Sequence, residues 1–256
     1  PVMGHASGVC IAYADADCSA TQQRLQQVVD IIKDSKMQYV AACNALEVLL
    51  VHRTAAAKLL PVLGEALAAE GVKFRADSAA AALLPAAATE LAAGEEDFRT
   101  EWLAPILSIR LVDNIQEAIR HINSNGSHHT DLILSFSPSN IEVFMKGIDS
   151  ADIFANCSTR FADGYRFGMH AEVGIATGKM HARGPVGIEG LCTYAYRLYG
   201  NGHTVAAVEA ANNTQQGNKS YTHKPLLILE PSTSSNPSIT TEEGIDAYER
   251  SRLLSH

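Results

Sequence analysis

Long apolar runs are missing from this chain. No stretch approaches the ~18–20 residues that a membrane-spanning helix needs, and the first residues do not read as a signal peptide. A surplus of positive charge is missing as well. The 20 Lys and Arg stand against 28 Asp and Glu, a formal net charge of −8, which argues against a surface built for nucleic acid or anionic membrane. The five cysteines, Cys10, Cys18, Cys43, Cys157 and Cys192, include no CxxC pair and keep no regular spacing. That excludes the pattern of a disulfide scaffold and fits a reduced, intracellular protein. There is no HExxH, no GxGxxG and no Walker loop. The adjacent His128 and His129 point to different sides, and neither they nor His170 and His181 have an acidic or cysteine partner at ligand spacing, so no metal is expected. An initiator methionine is also missing: "PVMGHASGVCIAYAD" enters in the run-up to a strand, and the expectation is a fragment.

What is present is an alternation of two periodicities. With 256 residues, 46% of them hydrophobic, the chain is long enough for one large domain or two modest ones. "GVCIAYA" predicts a strand. Residues 20–42 predict a helix with Leu25, Val28, Val29 and Ile32 on one face. "LEVLLVH" predicts a buried strand, "TAAAKLLPVLGEALAAEG" a helix closed by Gly71, and "VKFRA" a short strand. The alanine-rich residues 76–94 are expected as short surface helices. "APILSIRLVD", "TDLILSFS" and "ADIFANCS" predict strands, with helices "NIQEAIRHINSNG" and "PSNIEVFMKGI" between them. This is the pattern of an α/β fold with a mainly parallel sheet flanked by helices. In such sheets ligands are expected beyond the carboxyl ends of the strands. After about residue 203 the composition turns polar, in "VEAANNTQQGNKS" and "PSTSSNPSITTEEG", and residues 204–256 are expected as a partly disordered tail.

Two places invite chemistry. Cys43, between an apolar helix pattern and an apolar strand pattern, is either a small buried hydrophobe or a nucleophile at a helix-to-strand junction. If a helix ends there, its negative pole opposes thiolate formation and leaves a thiol near its usual pKa of about 8.5. Such a thiol suits an activated electrophile better than an amide. The second place is the loop 156–185, long and glycine-rich, with Ser158, Thr159 and Thr177 as hydroxyls. Its Arg160, Arg166 and Arg183 suit carboxylate or phosphate oxygens. The plainer possibility is that Arg160 pairs with Asp163 and only shapes the loop. A cysteine hydrolase with His5 or His52 as base is a rival for Cys43.

The motifs "GHASG", "AACNALEVLLVH", "EWLAPILSI", "NCSTRFADGYRFG" and "AEVGIATGKMHARGPVGIEGL", in that order over residues 1 to about 200, resemble the gamma-glutamyl phosphate reductase (glutamate-5-semialdehyde dehydrogenase) family of the aldehyde dehydrogenase superfamily. "SYTHKPL", residues 220–226, is similar to the tail of eukaryotic bifunctional pyrroline-5-carboxylate synthases, in which a glutamate kinase precedes the reductase. The resemblance implies residues 1–18 as the end of a cofactor-binding domain, 19–203 as the catalytic α/β domain, and a cofactor domain largely absent from this chain. It implies NADPH-dependent reduction of gamma-glutamyl phosphate to glutamate 5-semialdehyde in proline biosynthesis, through a thioester on Cys43. Glu101 is implied as the holder of the nicotinamide ribose hydroxyls. Ser158, Thr159 and Arg160 are implied on the substrate side, and His5 in proton transfer or packing. The resemblance also implies a homo-oligomer and a cytoplasmic enzyme, or a mitochondrial one if it comes from a eukaryotic bifunctional protein. Against the family pattern, Ser7 replaces an acid, Val40 a proline, His170 a glycine, Ala176 a serine and Cys157 an alanine. The alternative is a fragment that serves only as a folding or oligomerisation module.

Overall fold

The computed structural model describes residues 7–92, 94–169, 172–179 and 183–192. The expected alternation is there. The strands are β1 (Cys10–Ala14), β2 (Leu46–His52), β3 (Lys73–Ala76), β4 (Thr89–Leu91), β5 (Ile106–Val112), β6 (Thr130–Leu134), β7 (Asp152–Ala155), β8 (Gly174–Ala176) and β9 (Gly184–Val186). The helices are α1 (Gln22–Met37), α2 (Arg53–Ala68), α3 (Ser78–Ala81), α4 (Ile115–Asn125), α5 (Pro138–Gly147) and α6 (Ile188–Leu191). β1 to β7 form one sheet in the order β4-β3-β5-β2-β1-β6-β7, and every neighbouring pair in it is parallel.

Side-chain chemistry sets the helix boundaries. Thr21 caps α1 by accepting the Arg24 N–H at 3.2 Å. Asn114 caps α4 by accepting the Glu117 N–H at 2.9 Å. Ser137 caps α5, whose first residue is Pro138. Such caps satisfy donors that an isolated helix start leaves open. Beyond the end of α2, Gly71 takes φ +85°, a left-handed conformation that costs glycine nothing.

Because side chains alternate along a strand, the sheet buries two separate cores. Ala12, Leu49, Val51, Ile109 and Leu132 meet Val28, Ile32, Leu59 and Leu63 from α1 and α2 on one face. Ile11, Tyr13, Val48, Leu50 and Ile133 meet Ala118, Ile122 and Phe144 from α4 and α5 on the other. Strands buried on both faces read as continuous aliphatic runs, as "LEVLLVH" does.

Four expectations need correction. The first helix ends at Met37, not at residue 42, so Cys43 lies on a connection rather than at a helix end. The alanine-rich stretch holds a short edge strand, β4, as well as α3, because Phe74–Ala76 offers it an open sheet edge. β1 pairs with β2 and β6 in the middle of the sheet, so residues 10–14 belong to this domain and not to the end of a cofactor domain. The residues gathered around Cys43 stand at the amino ends of the strands, not beyond the carboxyl ends. The tail from 204 lies outside the described residues.

Candidate active site

Residues 38–45 make two successive turns. The Ala42 N–H donates to the Tyr39 carbonyl at 3.3 Å, and the Ala45 N–H to the Ala42 carbonyl at 2.9 Å. Cys43 and Asn44 are the central residues of the second turn, at the amino end of β2. The turn is held from several sides. The Thr159 hydroxyl donates to the Asn44 carbonyl at 2.7 Å, and the Asn44 amide donates to the Ala162 carbonyl at 2.6 Å. The Cys10 thiol donates to the Cys43 carbonyl at 3.2 Å. Gly8, the last residue of "GHASG", packs backbone to backbone against it. A Cβ built on Gly8 would stand 1.9 Å from the Cys43 carbonyl oxygen, so only glycine fits there.

The loop after β7 turns back along α1 to reach this edge. Ser35, in the last turns of α1, donates from its hydroxyl to the Ser158 hydroxyl at 3.3 Å and accepts the Thr159 N–H at 3.2 Å. Ser158 and Thr159 are both buried. Their hydroxyls are engaged within the protein, with Ser158 accepting the Arg160 N–H at 3.3 Å. These two residues therefore hold the Cys43 turn, a role the sequence reading did not give them.

Arg160 remains half-buried beside the turn. Its Nε donates to the Gln38 Oε1 at 2.8 Å, and its guanidinium stands 5.8 Å from the Tyr39 ring centroid. Asp163 pairs with Arg166 at 2.6 Å, not with Arg160, so the simple loop-shaping pair is not formed. A cleft of about 190 Å³ opens here, lined by Asp34, Gln38, Ser158, Arg160, Phe161 and Arg166. A wider groove of about 940 Å³ runs along the outer face of α1 but does not include Cys43 or Arg160. Cys43 lines neither, and the small cleft is the one that holds Arg160, whose charge acts on the thiol.

The Cys43 thiol is half-buried, and its pKa is raised above the ordinary value. Burial is the main cause, the carboxylates of Glu172 and Glu101 add to it, and Arg160 opposes it. The sequence reading attributed weak ionisation to a helix pole. The helix stops six residues earlier, and desolvation with two acids does the work instead. Glu101 stands just before β5 and is half-buried. Its charge acts on both Cys43 and Glu47, which puts it at the same edge as the thiol.

Behind the turn lies a buried ionisable layer that the sequence reading missed. Lys36 and Glu47 pair at 2.6 Å with no side-chain exposure on either partner. Burial pushes the Asp131 carboxyl up to about 7 and the Asp152 carboxyl up to about 6. Each of these three acids is the first or second residue of an otherwise largely apolar strand. A charge at the start of an apolar run was the available signal.

The histidines separate. His52 ends β2 and caps α2, accepting the Thr54 N–H at its Nδ1. The seven residues of β2 put it about 20 Å from the Cys43 turn at ~3.3 Å per residue, so it cannot serve as base for that thiol. His129 is buried, with its Nδ1 2.8 Å from the Thr130 hydroxyl. His5, His170 and His181 lie outside the described residues.

No family model matches the chain. A gamma-glutamyl phosphate reductase from Synechocystis sp. is 49% identical over 226 residues, covering 88% of this chain and 49% of its own length. One from Acetivibrio thermocellus is 46% identical over 226 residues, covering 88% of this chain and 50% of its own length. The solved gamma-glutamyl phosphate reductase of Thermotoga maritima superposes with a TM-score of 0.69 at 38% identity, over 80% of this chain and 47% of that one. An acetylating aldehyde dehydrogenase from Geobacillus thermoglucosidasius shares the fold, with a TM-score of 0.54 at 18% identity over 78% of this chain and 53% of that one. The chain thus spans about half the length of the curated relatives it matches. Across that half, it is similar to gamma-glutamyl phosphate reductases and has an aldehyde dehydrogenase-like fold.

Proposed function

We propose that this chain carries the nucleophile-bearing half of an NADPH-dependent gamma-glutamyl phosphate reductase, with Cys43 as the nucleophile. The observation that carries the reading is the pinned turn that holds Cys43 within the electrostatic reach of both Arg160 and Glu101. The Cys43 thiolate attacks the acyl carbon of gamma-glutamyl phosphate. The carbon–oxygen bond to phosphate breaks, phosphate leaves, and a thioester forms on Cys43. NADPH, when bound with its ribose held at Glu101, would supply the hydride for reduction of this thioester. Glutamate 5-semialdehyde then departs, and the sulfur regains its electron pair. Arg160 offsets the negative charge of the arriving phosphate, while Arg166, in the same cleft, is paired with Asp163.

The raised thiol pKa fits this electrophile. A thiol that is mostly protonated at neutral pH gives few thiolates, but each is strongly nucleophilic. An acyl phosphate brings its own good leaving group, so it tolerates that small fraction. The half-buried Glu101 offers a carboxylate on the same edge, and a carboxylate suits a pair of ribose hydroxyl donors. NADPH rather than NADH is part of the proposal.

The test uses protein expressed from the full coding sequence. We expect NADP reduction that depends on both glutamate semialdehyde and phosphate. Cys43→Ser should lower it by about a thousandfold or more, as loss of a covalent nucleophile does, and a serine variant with full activity would refute the assignment. The pH profile of iodoacetamide labelling should place the Cys43 midpoint above the usual ~8.5. A midpoint below 7 would contradict the electrostatics described above.

A further inference from the structure

The buried acid nearest the nucleophile in sequence, Glu47, occupies an irregular position. In the pairing of β1 with β2, Cys10 opposes Leu46 and Ile11 opposes Val48. Glu47 is therefore the extra residue of a bulge, a feature uncommon between parallel strands and one that re-aims a side chain. The carboxylate is fully buried and finds polar partners there. One oxygen, Oε2, accepts from the Lys36 ammonium at 2.6 Å. The other, Oε1, accepts the Leu103 N–H at 3.3 Å. Leu103 itself has φ +51°, a conformation that a leucine adopts only when its surroundings hold it there.

The three partners belong to different parts of the site. Lys36 is in the last turn of α1, directly before the turns that carry Cys43. Glu47 follows Cys43 by four residues. Leu103 follows Glu101 by two. A buried ion pair seldom adds stability over apolar residues of the same size, so its presence calls for another reason, and fixing one arrangement is the best attested.

We infer that Glu47 is a positioning residue: its carboxylate fastens the Cys43 turn, through Lys36, to the Glu101 segment, through the Leu103 amide, and so sets the distance between nucleophile and nicotinamide. This rests on the functional reading given above. Hydride transfer needs its donor and acceptor held to within a fraction of an ångström, and displacements of about 1 Å cost on the order of a hundredfold. A clasp that joins the two segments through one buried group meets that need. Lys36, Leu103, Glu101 and Cys10 are the groups whose contacts or charges bear on this carboxylate.

The experiment compares two variants of the full-length enzyme, Glu47→Gln and the double variant Lys36→Met with Glu47→Met. Thermal midpoint, kcat, the KM for NADP, the KM for glutamate semialdehyde and the alkylation rate of Cys43 are measured for each. The double variant replaces two buried charges by apolar chains, so its midpoint should equal or exceed that of the wild type. Its KM for NADP should nevertheless rise about tenfold, with the aldehyde KM little changed and Cys43 alkylated faster. Glu47→Gln keeps an oxygen for the Leu103 N–H but sets its NH₂ against the Lys36 ammonium, so the link to the turn is lost: its midpoint should fall and its KM for NADP should stay raised. A double variant with a wild-type midpoint and wild-type kinetic constants overturns the proposal. Hydrogen exchange of the wild-type protein supplies a measurement that no misfolded variant can spoil: the Leu103 amide should be protected, and a freely exchanging one overturns the proposal by itself. A wild-type enzyme with no NADP-dependent activity would refute the functional reading instead, leaving exchange and alkylation to judge the clasp.

Discussion

The two edges of the seven-stranded sheet are built on opposite principles. At the carboxyl edge of β1 and β6, polar groups are matched. Asp15 accepts from the Ala16 N–H, the Tyr13 hydroxyl, the Ser135 hydroxyl and the Asn140 amide, and Asp17 accepts the Phe136 N–H. Burial pushes the Asp15 pKa up, but those bonds outweigh it and the net shift is downward. Asp77, beyond β3, likewise accepts the Ala80 and Leu111 N–H groups. At the amino edge, carboxyls are buried with less compensation. Asp131 and Asp152 are both pushed upward, and Leu103 and His128 take positive φ there, as Asn156 does after the carboxyl end of β7. Hydrogen bonds at one edge make ionised acids comfortable, while desolvation at the other keeps ionisation costly. The first arrangement stabilises the fold. The second holds a half-buried thiol, raised acids and strained backbone in one place, which is where functional sites keep such features.

The contrast breaks most sharply at Gly8. Glycine→alanine there drives a methyl group into the Cys43 carbonyl, and backbone cannot yield as a side-chain tip can. We expect turnover to fall by on the order of a hundredfold as the turn is displaced. Stability should fall by about 1–3 kcal/mol, as overpacking usually costs. Steady-state kinetics and a denaturant melt check the two effects separately. A Gly8→Ala enzyme with wild-type turnover would mean that the turn is not held by this contact.

The matched edge should behave in the reverse way. Asp15→Asn leaves one oxygen where the carboxylate served four donors, and its new NH₂ faces donors it cannot satisfy. A loss of about 1–3 kcal/mol follows from buried unpaired groups. The alkylation rate of Cys43 and the turnover of the folded fraction should stay at wild-type values. A change in either would show that the two edges communicate.

How far the sequence foretold this division depends on the range of each interaction. The strands and helices were legible because burial on two faces leaves long aliphatic runs, and because Thr21, Asn114, Ser137 and Gly71 act within a few residues of the boundaries they set. The end of the first helix was not, since "QYVAAC" keeps a helix-compatible composition and only contacts from Gly8, Thr159 and Ala162 bend it into turns. Those partners lie 35, 115 and 118 residues from the positions they hold. The choice of edge was missed for the same reason: the general preference for carboxyl ends says nothing about where the loop after β7 will return. Glu101 was found through a family motif, while Cys43 and Arg160 were candidates on local physics that left both ambiguous. Glu47 and Asp131 were open to notice as lone charges inside "LEVLLVH" and "TDLILSFS", but a strand-start charge is usually solvated, and only burial reveals otherwise.

The smallest expected effect is also the one whose sign separates the edges. Asp131 is fully buried and accepts the Ile11 N–H at 3.0 Å and the Ser150 hydroxyl, yet its pKa is pushed up to about 7 from an unfolded value of about 3.9. Between those values the native protein holds a proton that the unfolded chain has released. Stability therefore falls as pH rises from about 4 to about 7, and is flat above. Asp15, with its pKa lowered, contributes in the opposite sense: its stabilisation is present above the unfolded value and is lost as pH falls through the folded one. Asp131→Asn keeps an oxygen for Ile11 and gives the Ser150 hydroxyl a donor to accept from, while it removes the ionisation. It should raise stability at pH 8 by about 1–2 kcal/mol, since each tenfold change in proton affinity is worth about 1.4 kcal/mol before relaxation discounts it. It should also flatten the decline between pH 4 and 7, which denaturant melts across that range would register. A variant that loses stability at pH 8 would mean that the ionised Asp131 is well solvated or paired, and the amino edge would then be no different in kind from the carboxyl edge.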